Sequence, residues 1–165
     1  MEKNIHEVVF RDTISKQDEE NVRHIVASTG FFSQEEIDIA VELVTERLEK
    51  GLASGYHFIF AEVENRMVGY TCFGPIPATK FSYDLYWIAV HTDMRGTGIG
   101  KKLMTASEKA IARLGGNRVY IETSGRDQYI PTRQFYLTCD YTEAAVLDDF
   151  YAPGDAKYLY LKALQ

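Results

Sequence analysis

Between Arg95 and Lys101 the chain reads Arg95-Gly96-Thr97-Gly98-Ile99-Gly100-Lys101, a glycine-rich run flanked by cations. Glycines let successive backbone N–H groups converge without Cβ clashes, and a helix start adds donors that have no intrahelical partner. The elements around the run supply that helix start. Tyr83-Asp84-Leu85-Tyr86-Trp87-Ile88-Ala89-Val90 is β-branched and aromatic and predicts a strand. Leu103, Ala106, Ala110, Ile111 and Leu114 recur at helical spacing. A strand, a glycine turn and a helix make a phosphate cradle, and Arg95, Lys101 and Lys102 add positive charge. A turn with no ligand would not need so many amides and cations at one helix start.

The spacing excludes two common phosphate motifs. A P-loop needs glycine four residues ahead of Gly-Lys-Ser/Thr, but position 95 is arginine and Lys101 precedes Lys102. A G-x-G-x-x-G fingerprint starting at Gly96 needs glycine where Lys101 stands, and one starting at Gly98 needs it at Leu103.

Arg-x-x-Gly-x-Gly after a strand ending Ile88-Ala89-Val90 resembles the acetyl-CoA signature of the GNAT superfamily of N-acetyltransferases. A second stretch supports this: Tyr129-Ile-Pro-Thr132-Arg-Gln-Phe135-Tyr136, then Leu137-Thr-Cys139 and Asp140-Tyr141. It is similar to the superfamily's Asn-x-x-Ala-x-x-Phe-Tyr followed by three residues and Gly-Phe. Tyr129 departs from the asparagine and Asp140 from the glycine. The resemblance covers about residues 57–163. It implies acetyl-CoA as co-substrate, held by Arg95, Gly96, Thr97, Gly98, Ile99, Gly100 and Lys101 at the diphosphate and by Ile88, Ala89 and Val90 along the pantetheine arm. The amides of Ile88 and Val90 would pair with the arm as a neighbouring strand does, and one N–H near Val90 would polarise the thioester carbonyl.

Acetyl transfer also needs a neutral amine. An alkyl ammonium with pKa near 10.4 costs about 4–5 kcal/mol to deprotonate at pH 7, and an α-amino group near pKa 8 only about 1 kcal/mol. By the resemblance, two carboxylates qualify as the base that removes this proton. Asp84 stands on the signature strand and Glu122 on the next. The residues alone leave both open. Tyr136 matches the superfamily's general acid, which would donate to the departing thiolate.

Composition bounds the rest. The 165 residues, 45% of them apolar, fit one domain over 1–165 with a sizeable core. A net charge of −6 argues against a general nucleic-acid or membrane partner. Cys72 and Cys139 form no C-x-x-C pair, and His6, His24, His57 and His91 lack metal spacing, so no metal is expected. The start Met1–Glu7 carries no apolar leader, so a cytoplasmic protein is expected. Asp148, Asp149, Tyr151 and Asp155 are expected to form a solvated hairpin, and Arg126 and Arg133 to face solvent.

In chain order the sequence predicts a strand over 7–14 and a helix capped by Ser15 or Asp18 and closed by Gly30. The capping box Ser33-Gln-Glu-Glu36 then opens a second helix that ends near Gly51. Strands over 57–64 and 67–73 are joined at Asn65-Arg66, followed by the strand 83–90, a helix over 98–114 and a strand over 118–123 parallel to 83–90. A short helix over 132–137 and strands over 141–151 and 156–163 complete the order βααβββαβαββ. The fold class is therefore α/β (α+β): one mixed, mostly antiparallel twisted sheet, helices on both faces, and a splayed central parallel strand pair, as in the superfamily.

Three functions stay open: an N-acetyltransferase acting on a small-molecule, amino-acid or peptide amine in a ternary complex, an acyltransferase with another acyl-CoA or acceptor, and a non-catalytic CoA-binding sensor. Retention of Tyr136 and two candidate bases favours an enzyme. The edge strands leave monomer and homodimer open.

Overall fold

A computed structural model describes residues 7–165; His6 and the N-terminal stretch before Glu7 lie outside the described residues. The elements follow the expected order: β1 (Val9–Arg11), α1 (Gln17–Ser28), α2 (Gln34–Lys50), β2 (His57–Val63), β3 (Arg66–Pro75), β4 (Ser82–Val90), α3 (Ile99–Arg113), β5 (Arg118–Ser124), α4 (Ile130–Thr138), β6 (Thr142–Ala152) and β7 (Asp155–Ala163). Short 3₁₀ turns at Gly51–Ser54, Thr92–Met94 and Asp127–Tyr129 were not foreseen. The fold is mixed α/β, with a mostly antiparallel seven-stranded sheet in the order β1-β2-β3-β4-β5-β7-β6. Its parallel ladder pairs Ser82, Tyr83 and Asp84 with Arg118, Val119 and Tyr120 and stops there, in strands nine and seven residues long. The chain divides into two compact units: the residues up to Phe73 together with Trp87–Ser107, and Gly74–Tyr86 together with Glu108–Gln165.

In the first unit, Val22, Ile25 and Val26 of α1 and Ile37, Ala40, Val41 and Val44 of α2 pack on Phe58, Phe60, Tyr70, Cys72 and Ala89. The capping box of α2 forms as read, with Ser33 Oγ accepting from the Glu36 N–H and Glu36 accepting from the Ser33 N–H. Trp87 is half-buried against this core and meets Phe32 edge-on at 5.1 Å. On the opposite sheet face, Gly69 admits α3 so closely that a Cβ there would lie 2.9 Å from Leu103 Cδ1 and 3.0 Å from the Ala89 carbonyl. The buried hydroxyls of Thr71 and Ser107 bond to each other beside it.

The expected caps of α1 need correction. Lys16 precedes the helix without a side-chain cap. Asp18 is instead fully buried and receives Arg11 Nη1 and Nη2, both at 2.9 Å, the Ser15 N–H at 2.8 Å and Asn21 Nδ2 at 3.1 Å. Burial opposes its ionisation, but these bonds outweigh it and hold the carboxyl below its ordinary value. The first strand is shorter than expected, three residues at Val9–Arg11. The hairpin turn is also displaced by one residue. Its central residues are Glu64 (φ 51°) and Asn65 (φ 62°), and Val63 pairs with Arg66. This pair of positive φ values belongs to a I′-type turn, whose twist suits a two-residue hairpin.

In the second unit, β7 lies between β5 and β6 and is antiparallel to both. The half-turn Ala152-Pro153-Gly154-Asp155 closes the β6–β7 hairpin, with Gly154 at φ 80°. Tyr136 of α4, Tyr141 and Tyr160 of β7 are buried together, with ring centroids 5.6–6.4 Å from Tyr136. Helix α3 ends in a Schellman motif: Gly116 N–H donates to the Ile111 carbonyl and Gly115, at φ 94°, to that of Ala112. Gly116 then sits against Tyr83 and Ile111 with no room for a Cβ.

Candidate active site

The glycine run forms the turn that the sequence predicts. Strand β4 ends at Val90, and the His91 N–H closes it by donating to the Val68 carbonyl at 2.8 Å. After the 3₁₀ turn at Thr92–Met94, Gly96 and Gly98 take φ values of 74° and 84°, which side chains rarely adopt. A Cβ built on either meets no protein atom within 4 Å, so the space above both is open. The Lys102 N–H donates to the Gly98 carbonyl at 3.2 Å and opens α3. By helix geometry, the N–H groups of Gly98, Ile99, Gly100 and Lys101 therefore have no intrahelical acceptor. With the exposed Arg95, Lys101 and Lys102 beside them, they suit a diphosphate.

Three residue pairs tie this turn to α1 and the loop after it. The Thr92 hydroxyl donates to the Ser28 carbonyl, and the Thr92 N–H donates to Ser28 Oγ at 3.3 Å. The rings of His24 and His91 stack at 5.2 Å. The Arg95 guanidinium lies 5.1 Å from the centre of the Phe31 ring. His91 is buried, and its Nδ1 accepts from the Asp93 N–H at 3.1 Å. Burial lowers its pKa, and Arg66 and His24 lower it further against the pull of Asp93. The neutral form that Nδ1 needs as an acceptor is thus the favoured one. Ala89 is buried in the core, while Ile88 and Val90 are half-buried.

All of these residues belong to the first unit; Asp84, Glu122 and Tyr136 belong to the second. Asp84 is half-buried opposite Tyr120 at the end of the parallel ladder. Burial raises its pKa first, the charge of Glu122 raises it further, and Lys157 opposes both. Glu122 is exposed and paired with Lys157, Nζ to Oε1 at 2.9 Å. The two candidate bases thus belong to one charge cluster, whose cation from β7 was not singled out in the sequence. Only the β5–β7 register, in which Glu122 faces Leu159 and Ser124 faces Lys157, brings that cation in.

Tyr136 lies elsewhere in the same unit. It packs on Tyr160, whose side chain leaves β7 on the face opposite that of Leu159, the partner of Glu122. The acid candidate and the base candidates therefore lie on opposite faces of the β5–β7 pair. Burial pushes the Tyr136 phenol well above its ordinary value, so it holds its proton firmly. Its backbone position is fixed by a second Schellman motif. The Tyr141 N–H donates to the Tyr136 carbonyl and the Asp140 N–H to that of Leu137, both at 3.1 Å. Asp140, standing where the superfamily has glycine, takes φ 68°. The conformation survives the change of residue. Tyr141 is buried and its hydroxyl donates to Glu108 Oε2 at 3.0 Å, which also receives Lys162.

One expectation is corrected nearby, that for Arg133, whereas Arg126 is exposed as expected. Arg133 does not face solvent alone: its Nη1 donates to the carbonyls of Ser124 and Arg126 and its guanidinium lies over the Tyr158 ring at 4.7 Å. Arg126 reaches Asp155 at 3.3 Å and lies over Tyr129 at 5.4 Å. Asp155 in turn accepts from Ser124 Oγ and Asp149 from the Gly154 N–H, so the acidic hairpin spends two of its carboxylates on its own structure. Cys72 and Cys139 are buried, and neither is in a disulfide. Among the described residues no group of three His, Cys, Asp or Glu side chains is placed to hold a metal, and no helix is long and apolar enough to cross a membrane.

The family match and a close relative make the chain an acyl-CoA-dependent acetyltransferase. The family model described as the acetyltransferase (GNAT) family matches residues 20–141, and the chain belongs to that family, whose members use acetyl-CoA. This match takes in α1 and α2, which the motifs alone did not reach. A solved structure from Desulfovibrio desulfuricans, classed with GNAT-family acetyltransferases, is 45% identical over 96% of this chain and 100% of its own, with a TM-score of 0.95. Two others share the fold at low identity. The aminoglycoside 6'-N-acetyltransferase of Enterococcus faecium is 18% identical over 94% of this chain and 96% of its own, with a TM-score of 0.75. The ribosomal-protein-S18-alanine N-acetyltransferase of Escherichia coli is 14% identical over 96% and 95%, with a TM-score of 0.74. No curated protein matches the chain.

Proposed function

We propose that residues 1–165 act as one N-acetyltransferase domain that moves an acetyl group from acetyl-CoA to a primary amine of a small molecule, amino acid or peptide by direct attack in a ternary complex. The observation that carries this reading is the start of α3, where Gly96 and Gly98 keep the space clear and the amides from Gly98 to Lys101 lack helical acceptors. In this reading Arg95 to Lys101 hold the diphosphate, and Ile88, Ala89 and Val90 border the pantetheine arm. The coenzyme's thioester supplies the acetyl group. A neighbour of the same fold has been crystallised with coenzyme A, which fits this choice of ligand.

Asp84 is the proposed base. It is half-buried with a raised pKa, whereas Glu122 is already committed to Lys157. As the amine's nitrogen bonds to the acetyl carbon, its proton passes to Asp84, directly or through water. Tyr136 hydrogen-bonds the sulfur as the carbon–sulfur bond breaks and gives up its proton late, because its phenol binds that proton more tightly than a thiolate does. The reading assigns the protein to the cytoplasm, in keeping with two cysteines that form no disulfide.

Calorimetry with coenzyme A tests the cradle, and a panel of amines with acetyl-CoA and a thiol-trapping dye tests the transfer. Saturable binding and acceptor-dependent thiol release are expected. Binding with thiol release that ignores the acceptor would refute amine transfer, and absence of binding would refute the coenzyme site.

A further inference from the structure

We propose that Lys157 is a positioning residue for the transfer: its ammonium pairs with Glu122 and leaves Asp84 as the carboxylate of the two that is not salt-bridged. The inference rests on the reading of Asp84 as the base. Its geometric basis is independent of that reading. Lys157 is 13% exposed at the side chain, an unusual depth for lysine. Its Nζ meets Glu122 Oε1 at 2.9 Å and lies 4.3 Å from the centre of the Phe150 ring. Salt bridge and aromatic face together hold the cation beside Glu122.

The strand registers explain how three chain-distant residues meet. Ladder pairing sets Asp84 against Tyr120 and Ser124 against Lys157, so Asp84, Glu122 and Lys157 come from three neighbouring strands. The charges that act on Asp84 are Glu122 of β5 and Lys157 of β7. Beyond them, Tyr151 of β6 feels both Glu122 and Asp155, and Asp155 is held by Ser124 and Arg126. Two carboxylates alone would repel, and Asp84 would stay protonated to higher pH. With the ammonium present the cluster carries one net negative charge, which suits accepting a single proton from an ammonium substrate.

The test compares the pH dependence of kcat/KM for Lys157→Met, Lys157→Arg and Glu122→Gln with the parent, together with ¹³C NMR titration of the Asp84 carboxyl. Lys157→Met should move the acidic limb upward by about half a pH unit or more, Glu122→Gln should move it downward, and Lys157→Arg should restore it. The Asp84 resonance should shift its midpoint in the same directions, and the KM for acetyl-CoA should stay within about threefold because the cradle is untouched. A purely structural Lys157 would lower the amplitude without moving the limb. An unmoved limb and midpoint in both variants overturns the inference, as does loss of the acidic limb in Glu122→Gln, which would make Glu122 the base. If the parent turns over no amine, the function reading fails, while the NMR titration still decides the role of Lys157.

Discussion

Replacing Tyr136 by Phe removes one hydroxyl and leaves the ring. The ring is 6% exposed and packs on Tyr141 and Tyr160, so the change keeps its apolar contacts. Stability should therefore change by less than about 1 kcal/mol. Activity should respond far more. An ordinary phenol near pKa 10 lies about 1.5 units above a thiol near 8.5, so full proton transfer to the sulfur is uphill by about 2 kcal/mol. Burial of Tyr136 makes it steeper still. In the proposed mechanism the hydroxyl therefore acts mainly as a hydrogen-bond donor to a sulfur that gains charge as its bond breaks. A bond to a charged partner contributes about 1.5–3 kcal/mol, which corresponds to roughly 10- to 150-fold in kcat. The assay is thiol release at saturating acetyl-CoA and amine, with the Tm of both proteins measured alongside. We expect kcat to fall about 10²-fold with the KM for acetyl-CoA within threefold. An unchanged kcat in a protein of unchanged Tm would refute the role and leave Tyr136 as core packing.

Three further substitutions probe the scaffold. Arg11→Met strands the fully buried Asp18 carboxylate and should cost about 3–4 kcal/mol at pH 7 by urea denaturation. Because the bonds lower the Asp18 pKa, that contribution is present above about pH 4 and fades as pH falls through the folded value; a difference constant down to pH 2 would refute the argument. Asp140→Gly removes a side chain from a left-handed position and should raise stability by about 0.5–1 kcal/mol, seen as a Tm increase of a few degrees; a decrease would mean that Asp140 makes a bond worth more than its strain. Gly116→Ala would put a Cβ 2.5 Å from Ile111 Cγ2 and 2.6 Å from Tyr83 Cδ2, and should cost about 1–3 kcal/mol; a Tm equal to the parent's would show that β4 and α3 yield freely there.

What could be read from the letters was whatever neighbouring residues decide among themselves. Ser33 and Glu36 bond across three residues, so the start of α2 is written locally. The glycine turn and the helix behind it are equally local, and the turn forms as expected. Where partners come from afar, the letters were silent. The hairpin centre moved from Asn65-Arg66 to Glu64-Asn65 because β2 and β3 fix their register along their whole length, with an irregularity between Ala61 and Glu62. Asp18 read as a cap because nothing near it announces that Arg11 and Glu62 meet beside it. The pairing of Glu122 with Lys157, 35 positions apart, needs the β7 strand laid against β5. Tyr136 was found from its place after Phe135, but its depth and its separation from the carboxylates follow from packing alone.

The turn proposed to hold the diphosphate is not a free loop. Through Thr92 on Ser28, His91 on His24 and Arg95 on Phe31, it is laced to the end of the first helix and the bend that follows. Whatever freedom the turn surrenders on taking up a ligand, that bend surrenders with it. In the proposed function, coenzyme capture and the ordering of that bend are a single event.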